Sequence, residues 1–159
     1  MKRIVFGLCL TVLFWACSVR HNPATTNQAS STLVTGWYYV VETDNGFKRQ
    51  LDKTSSNYFI NPIPIVVARN FTNFEFYQSN VDGKEFTGLS IQLDGEGTES
   101  WRIATKNAIG KQLAFILDNR LLHVATVYSQ ITAGVTALNR SDYSKEELEK
   151  VKAALEKER

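Results

Sequence analysis

The apolar residues of this chain change their spacing once, near residue 94, and that change limits the folds open to it. Just before this point Leu89, Ile91 and Leu93 alternate with polar residues, which is typical of a strand with one buried face. After it, Trp101 and Ala104 begin a helical spacing that continues for about two turns. The chain must therefore combine strands with helices.

Short aromatic or apolar runs bounded by turn residues predict further strands on both sides of this helix. The predicted strands are residues 37–41, 58–60, 65–68, 71–78, 86–93, 113–117, 121–128 and 131–137. Pro62 and Pro64 confine the stretch around them to a sheet edge or a strand entry, because proline cannot donate to a ladder. Gly110 is expected to end the helix. Asp118 and Asn119 predict a tight hairpin turn.

A second helix is predicted at the C-terminus. Ser144 and Glu147 have the spacing of a capping box, and Leu148, Val151 and Leu155 form one apolar stripe. The order is several strands, a helix, three strands and a helix. We therefore expect an α+β fold, with a largely antiparallel sheet and two helices packed on one face.

The first 17 residues have the pattern of a bacterial export signal. Lys2 and Arg3 precede an apolar run from Ile4 to Ala16, which is shorter than the roughly 20 residues that a membrane-spanning helix needs. The run ends in a stretch that resembles a lipobox, Phe14-Trp15-Ala16-Cys17, although Trp15 stands where a smaller residue is usual. We expect residues 1–16 to be removed and Cys17 to carry lipid; secretion without lipid and an uncleaved anchor are the alternatives.

Export of this kind changes both the charge and the thiol content of the mature protein. The full chain has 18 Lys and Arg against 16 Asp and Glu, and loss of two basic residues with the signal leaves 16 of each. A neutral domain has no global field to attract nucleic acid. Cys9 would be lost and Cys17 blocked, so a disulfide is not expected and the core alone must hold the fold.

Two segments follow the signal. Residues 17–35 are polar, small and aperiodic, and we interpret them as a flexible tether to the membrane. Residues 36–159 have a normal length for one domain. The predicted organisation is a signal, a tether and a single α+β domain.

Candidate contact residues occur in two places. Trp37, Tyr38 and Tyr39 are consecutive, so a strand must place at least one of these rings on each face of its sheet. One ring exposed to solvent would offer a binding surface, and packing into the core is the alternative. The other place is the groove expected beside Asn107 and Lys111, after the first helix.

Catalytic and metal-binding signals are weak. Acidic residues at the start of the first helix, Asp94, Glu96 and Glu99, suit the helix dipole better than a calcium site, which needs about six oxygens. His123 lies in a predicted strand with no nucleophile motif beside it. We expect no metal and no cofactor.

An ordered series of residues between Gly88 and Leu155 resembles the head subdomain of the first periplasmic domain of SecD, the export-motor subunit. The matching residues are Ile91-Gln92-Leu93-Asp94, Gly97, Trp101, Thr105, Asn107, Gly110, Leu113-Ala114-Phe115-Ile116-Leu117-Asp118, Ile131-Thr132-Ala133-Gly134 and Tyr143-Ser144-Lys145-Glu146-Glu147-Leu148. Two departures are Ala125, where the family commonly has proline, and residues 138–140, where it often has glycine.

The resemblance implies a head-like module on a lipid tether that binds a protein or peptide, not the motor itself. A periplasm-facing envelope protein without catalytic activity is therefore the first hypothesis. The alternatives are a small enzyme with a dispersed carboxylate site, which predicts an acid of strongly raised pKa in a deep pocket, and an inhibitor or immunity-type lipoprotein.

Overall fold

The computed structural model describes residues 32–42, 45–81 and 83–159. The strands are β1 Gly36–Val41, β2 Phe47–Gln50, β3 Asn57–Val67, β4 Phe71–Val81, β5 Lys84–Leu93, β6 Gln112–Leu117, β7 Arg120–Thr126 and β8 Val135–Leu138. The helices are α1 Gly95–Asn107 and α2 Lys145–Glu158, and a short 3-10 turn, Ala68–Asn70, joins β3 to β4. Cys17 and the predicted signal lie outside the described residues. None of the helices described is long and apolar enough to cross a membrane.

The strands form two antiparallel sheets. The five-stranded sheet has the order β2-β3-β1-β6-β7, and the three-stranded sheet has the order β4-β5-β8. The α+β prediction is confirmed, while the division into two sheets was not predicted. The 3-10 turn redirects the chain after β3, so that β4 pairs with β5 instead of continuing the first sheet.

The prolines of β3 lie where this strand has a neighbour on only one side. β2 pairs with β3 no further than Ile60, and the pairing with β1 is irregular opposite Tyr39, between the pairs that include Pro64 and Ile60. A missing backbone donor costs little at such a place. Pro62 and Pro64 therefore lie on a stretch of β3 that is an edge on one side, but the prediction of two separate strands, 58–60 and 65–68, is wrong because β3 is continuous through both prolines.

The two outer strands of the larger sheet meet at one end. Leu51, just after β2, forms an isolated bridge with Leu121 of β7, and the N–H of Asp52 donates to the Leu121 carbonyl over 2.9 Å. The hairpin between β6 and β7 turns at Asp118 and Asn119, whose φ angles of 46° and 63° are both left-handed, as the predicted tight turn requires.

This curled sheet separates two apolar clusters. Alternate residues of β1 and β6 reach opposite faces, so Trp37 and Phe115 join the first cluster and Tyr38 and Ile116 join the second. The first cluster also receives both helices and the three-stranded sheet. The second includes Leu33, an apolar residue within the segment interpreted as a tether.

Side-chain caps fix the start of both helices. The Asp94 carboxylate accepts the N–H of Gly97 over 2.6 Å at the start of α1. Ser144 and Glu147 form the predicted capping box of α2. After α1 the chain turns at Gly110, whose φ is 78°, and the predicted stripe of α2 is buried.

The last predicted strand is wrong in its first half. Residues 131–134 are not in a strand, and β8 begins only at Val135. The N–H of Ile131 donates to Thr105 Oγ1 of α1 over 3.0 Å, and Gly134 has a left-handed φ of 65°. Thr105 of α1 satisfies the backbone N–H of Ile131, and the first bond to β5 is at the Gly134 carbonyl, so the alternation of apolar residues before Gly134 does not reflect sheet pairing.

Candidate functional site

Two of the three consecutive aromatics are core residues. Trp37 and Tyr38 are each 1% exposed, on opposite faces of β1. Trp37 contacts Trp101 and Phe115, with ring centroids 5.1 and 5.3 Å away. Neither ring projects into solvent, because each face of the sheet is covered by a cluster, and core packing, the alternative stated above, describes both. Only Tyr39 is partly exposed.

Asn107 and Lys111 are both exposed, as a contact site needs. Lys111 lines an open depression of about 770 Å³ between the end of β1 and the start of β6. Asn107 lies in the last turn of α1 and does not line it. Their role in binding stays a prediction.

A more apolar depression lies beside it, and we call it the tryptophan groove. Its volume is about 340 Å³, within the usual range for ligand sites. Trp37, Trp101 and Leu113 form its floor, residues 125–127 form one wall, and residues 135–137 form the other. None of the described residues that line it carries a charge.

The rim of the tryptophan groove exposes apolar surface. Tyr128 is 86% exposed and Ile109 is 52% exposed. Ile109 forms a backbone bridge with Val127, the residue before Tyr128, so Tyr128 and Ile109 lie at the same end of the groove. Gln130 donates to the Arg102 carbonyl over 3.2 Å, which holds the segment after Tyr128 against α1. Exposed large apolar residues next to an apolar depression are typical of an interaction site.

Arg140 connects the two walls at the far end. Its Nη1 donates to the Leu122 carbonyl of β7 over 2.8 Å, and its Nη2 donates to the Asp52 carbonyl over 2.9 Å. His123 is buried there against the edge of the Trp37 ring. Burial, with the charge of Arg140, lowers the pKa of His123 to about 4, so this histidine is neutral at physiological pH.

A polar cluster ties the turn after β2 to the start of α2. The Tyr143 hydroxyl donates to Asp52 Oδ2 over 2.6 Å, and Arg120 donates to Asp52 Oδ1 over 3.0 Å. The Tyr143 hydrogen bond and the charge of Arg120 hold the pKa of Asp52 below its usual range, and burial raises the pKa of Tyr143. An ionised carboxylate with a protonated phenol stabilises this corner of the fold but is poorly suited to proton transfer.

Other carboxyl groups also have a lowered pKa, as Asp52 does. Asp142 pairs with Arg140, Glu99 with Arg102 and Glu147 with Lys53, and each of these pairs lowers the pKa of its carboxyl group. The enzyme hypothesis expects a carboxyl of raised pKa in a deep pocket, and the described residues contain no such shift. They also contain no cluster of three His, Cys, Asp or Glu residues that could hold a metal ion.

Comparison with known proteins identifies the family. The model of the SecDF P1 head subdomain matches residues 44–157 of this chain. The chain belongs to the SecDF P1 head subdomain family. The resemblance read from residues 88–155 is therefore confirmed, and the family match extends it toward the N-terminus into the five-stranded sheet.

Solved SecDF structures share this head fold. A crystal structure of SecDF in a super-membrane-facing form aligns with 76% of this chain at a TM-score of 0.55 and 16% identity. A structure of SecDF described as a membrane component that enhances protein export aligns with 77% at a TM-score of 0.54 and 16% identity. This chain covers 18% and 62% of those two chains. No curated protein sequence matches it.

Sequence reasoning missed the tryptophan groove within this SecDF head fold. Its walls come from β7 and β8, which belong to different sheets and do not pair with each other. One local signal was present, because Tyr128 ends an apolar run and is followed by the polar residues Ser129 and Gln130. Nothing in the sequence shows that residues 135–137 lie opposite.

Proposed function

We propose that this protein is a non-catalytic, lipid-anchored component of the bacterial cell envelope whose SecDF head domain binds a protein or peptide, in a role linked to protein export. Membership of the P1 head family supports the link, since a SecDF of the same fold is described as enhancing protein export. The domain faces the periplasm and acts near the membrane surface to which Cys17 tethers it.

The tryptophan groove is the observation that carries the binding proposal. It is open, apolar and uncharged, and an exposed tyrosine stands at its rim. Apolar area removed from water stabilises a complex by roughly 25 cal/mol per Å² before the costs of association. An apolar surface of a polypeptide partner fits this groove better than an ionic ligand does.

The anchor rests on the sequence alone. Residues 1–16 are proposed to be a cleaved signal, and Cys17 to be the lipidated first residue of the mature protein. At Leu33, where the described domain begins, the backbone N–H donates to Asn119 Oδ1 over 3.0 Å, so the tether leaves the domain beside the hairpin turn between β6 and β7.

Two experiments test the proposal. Mass spectrometry of the mature N-terminus should show acylated Cys17 and, in a Cys17→Ser variant, loss of both lipid and membrane association; an unmodified cysteine in the native protein contradicts the anchor. For binding, the full chain is crosslinked in intact cells and its partners are identified.

A charge at the groove rim provides the specific control for crosslinking. Tyr128→Arg should abolish recovery of the partner, whereas Ile63→Arg, at a residue that is 72% exposed on β3, should leave recovery unchanged. Both variants add the same charge at an exposed apolar residue. If no protein is recovered, or if both variants behave alike, the groove is not the binding site.

A further inference from the structure

Two free strand edges border the tryptophan groove. β8 is an outer strand of its sheet, and within the part of the chain that the structure describes β7 has no second strand neighbour beyond its bridge at Leu121. Three consecutive residues of β8, 135–137, line the groove, as do the last two residues of β7 and the residue after it, 125–127. Successive side chains of a strand point to opposite faces, so a cavity that touches three in succession must meet the edge of the strand.

The hydrogen bonds already present show which backbone groups point into the gap from β7. Val127 donates to the Lys111 carbonyl over 2.9 Å and accepts from Gly110 over 2.8 Å, so its backbone groups face β6. The backbone groups of successive residues in an extended chain point to opposite sides, and those of Thr126, the last residue of β7, therefore point away from β6. The bond between Arg140 and the Leu122 carbonyl agrees with this alternation.

The same reasoning applies to β8. The N–H of Leu93 donates to the Gly134 carbonyl over 2.8 Å, so Gly134 and Thr136 face β5, while Val135 and Ala137 present their N–H and C=O groups to the open side. Both of these outward residues line the groove, compared with Thr126 alone from β7. The edge of β8 is therefore the better template for a new strand.

The chemistry of the gap favours one kind of occupant. Unpaired backbone donors and acceptors on a strand edge are satisfied by a chain in extended conformation. The floor of Trp37, Trp101 and Leu113 suits apolar side chains, and the uncharged lining disfavours a charged residue, which would lose its hydration without a partner. The polar backbone groups at the strand edges are complementary to the backbone of a polypeptide, and the apolar floor is complementary to its apolar side chains.

We propose that the tryptophan groove binds an uncharged, apolar segment of a polypeptide by strand addition to the edge of β8, with alternate side chains on the tryptophan floor. This inference rests on the proposed function, because it names the class of segment and the way in which the same groove holds it. It requires hydrogen bonds to the backbone of Val135 and Ala137.

Synthetic peptides test the mode of binding without altering the protein. The full chain in detergent is titrated against a dye-labelled nonapeptide of alternating Val and Thr with a central Leu, and anisotropy is measured. Two N-methylated forms carry the methyl groups on either the odd or the even backbone nitrogens. One of these should bind about tenfold more weakly than the other, because only one edge of the peptide pairs with β8. A central Lys should also weaken binding about tenfold or more.

A proline pair gives the matched test on the protein. Ala137→Pro removes an outward N–H from the edge of β8 and should weaken binding of the parent peptide about tenfold. Gln78→Pro, at an exposed position on the outer strand β4 that does not line the groove, should leave binding unchanged. Proline is tolerated at edge positions of this kind, and circular dichroism checks that both variants fold.

The outcomes separate this inference from the proposed function. If the parent peptide binds and Tyr128→Arg prevents it, but both N-methylated forms bind equally well, strand addition is wrong while groove binding stands. If no peptide binds although a cellular partner is crosslinked at the groove, the segment class is wrong. If neither peptide nor partner is found, the proposed function itself fails.

Discussion

Acidification should destabilise this domain through one buried histidine. His123 is 6% exposed, and its ring packs against Trp37 with the two ring centroids 5.9 Å apart. Burial, and then the charge of Arg140, lowers the pKa of His123 from 6.5 to about 4 in the folded state. Between these two values the unfolded chain binds a proton that the folded chain does not, so stability falls as the pH falls through that window.

The expected loss follows from the two pKa values. At pH 5 the unfolded histidine is almost fully protonated and the folded one is mostly neutral, which corresponds to about 2 kcal/mol lost relative to pH 7.5. Carboxyl groups with lowered pKa, such as Asp52 and Asp142, act in the same direction. Their stabilisation is present above the unfolded pKa near 4 and is lost only below it, so the range from pH 7.5 to 5 mainly reports the histidine.

Urea unfolding of the full chain at constant ionic strength measures this loss. The native protein should lose about 2 kcal/mol between pH 7.5 and 5, and a His123→Phe variant should lose little of its stability over the same range. His21 is the other histidine of the chain, so His21→Gln is the matched control and should keep the native pH dependence. An unchanged pH dependence in His123→Phe would refute the reasoning.

Three substitutions test the packing of the fold, each by urea unfolding at neutral pH. Trp37→Ala should cost about 3–5 kcal/mol, because it empties the centre of the first cluster. Gly36→Ala should cost about 1–3 kcal/mol or more, because the new methyl group would lie 2.2 Å from the Val66 carbonyl oxygen. Ser144→Ala should cost about 1 kcal/mol, because it removes the side chain that accepts the N–H of Glu147 over 3.3 Å; a cost near zero would mean that α2 does not depend on its cap.

Local signals predicted most elements of this fold. The capping box at Ser144 and the turn at Asp118 and Asn119 depend on residues close in sequence, and each appears as expected. The helix α1 ends at Asn107, three residues before the predicted stop at Gly110. The strand predicted from residue 131 is wrong because its backbone bonds to Thr105 of α1, a partner 26 residues away. No local pattern contains that information.

Prediction of the candidate site from local sequence patterns is even more limited than prediction of the secondary structure. A run of Trp37, Tyr38 and Tyr39 requires rings on both faces of a strand, and only the tertiary structure shows that both faces are covered. The tryptophan groove depends on β7 and β8, whose edges come from two different sheets. The groove forms only where these two strands come together in the fold, so neither strand carries a sequence motif for it.

The α+β class, the caps and turns, the resemblance to the SecDF head and the expectation of a lipidated Cys17 follow from the amino-acid sequence, because each depends on residue spacing along the chain. The division of the strands into two sheets, the burial of Trp37 and Tyr38 and the apolar groove between two strand edges are visible only in the folded domain. Those features depend on which surfaces meet after folding, and burial of apolar area between distant segments, rather than any local preference, selects the contacts.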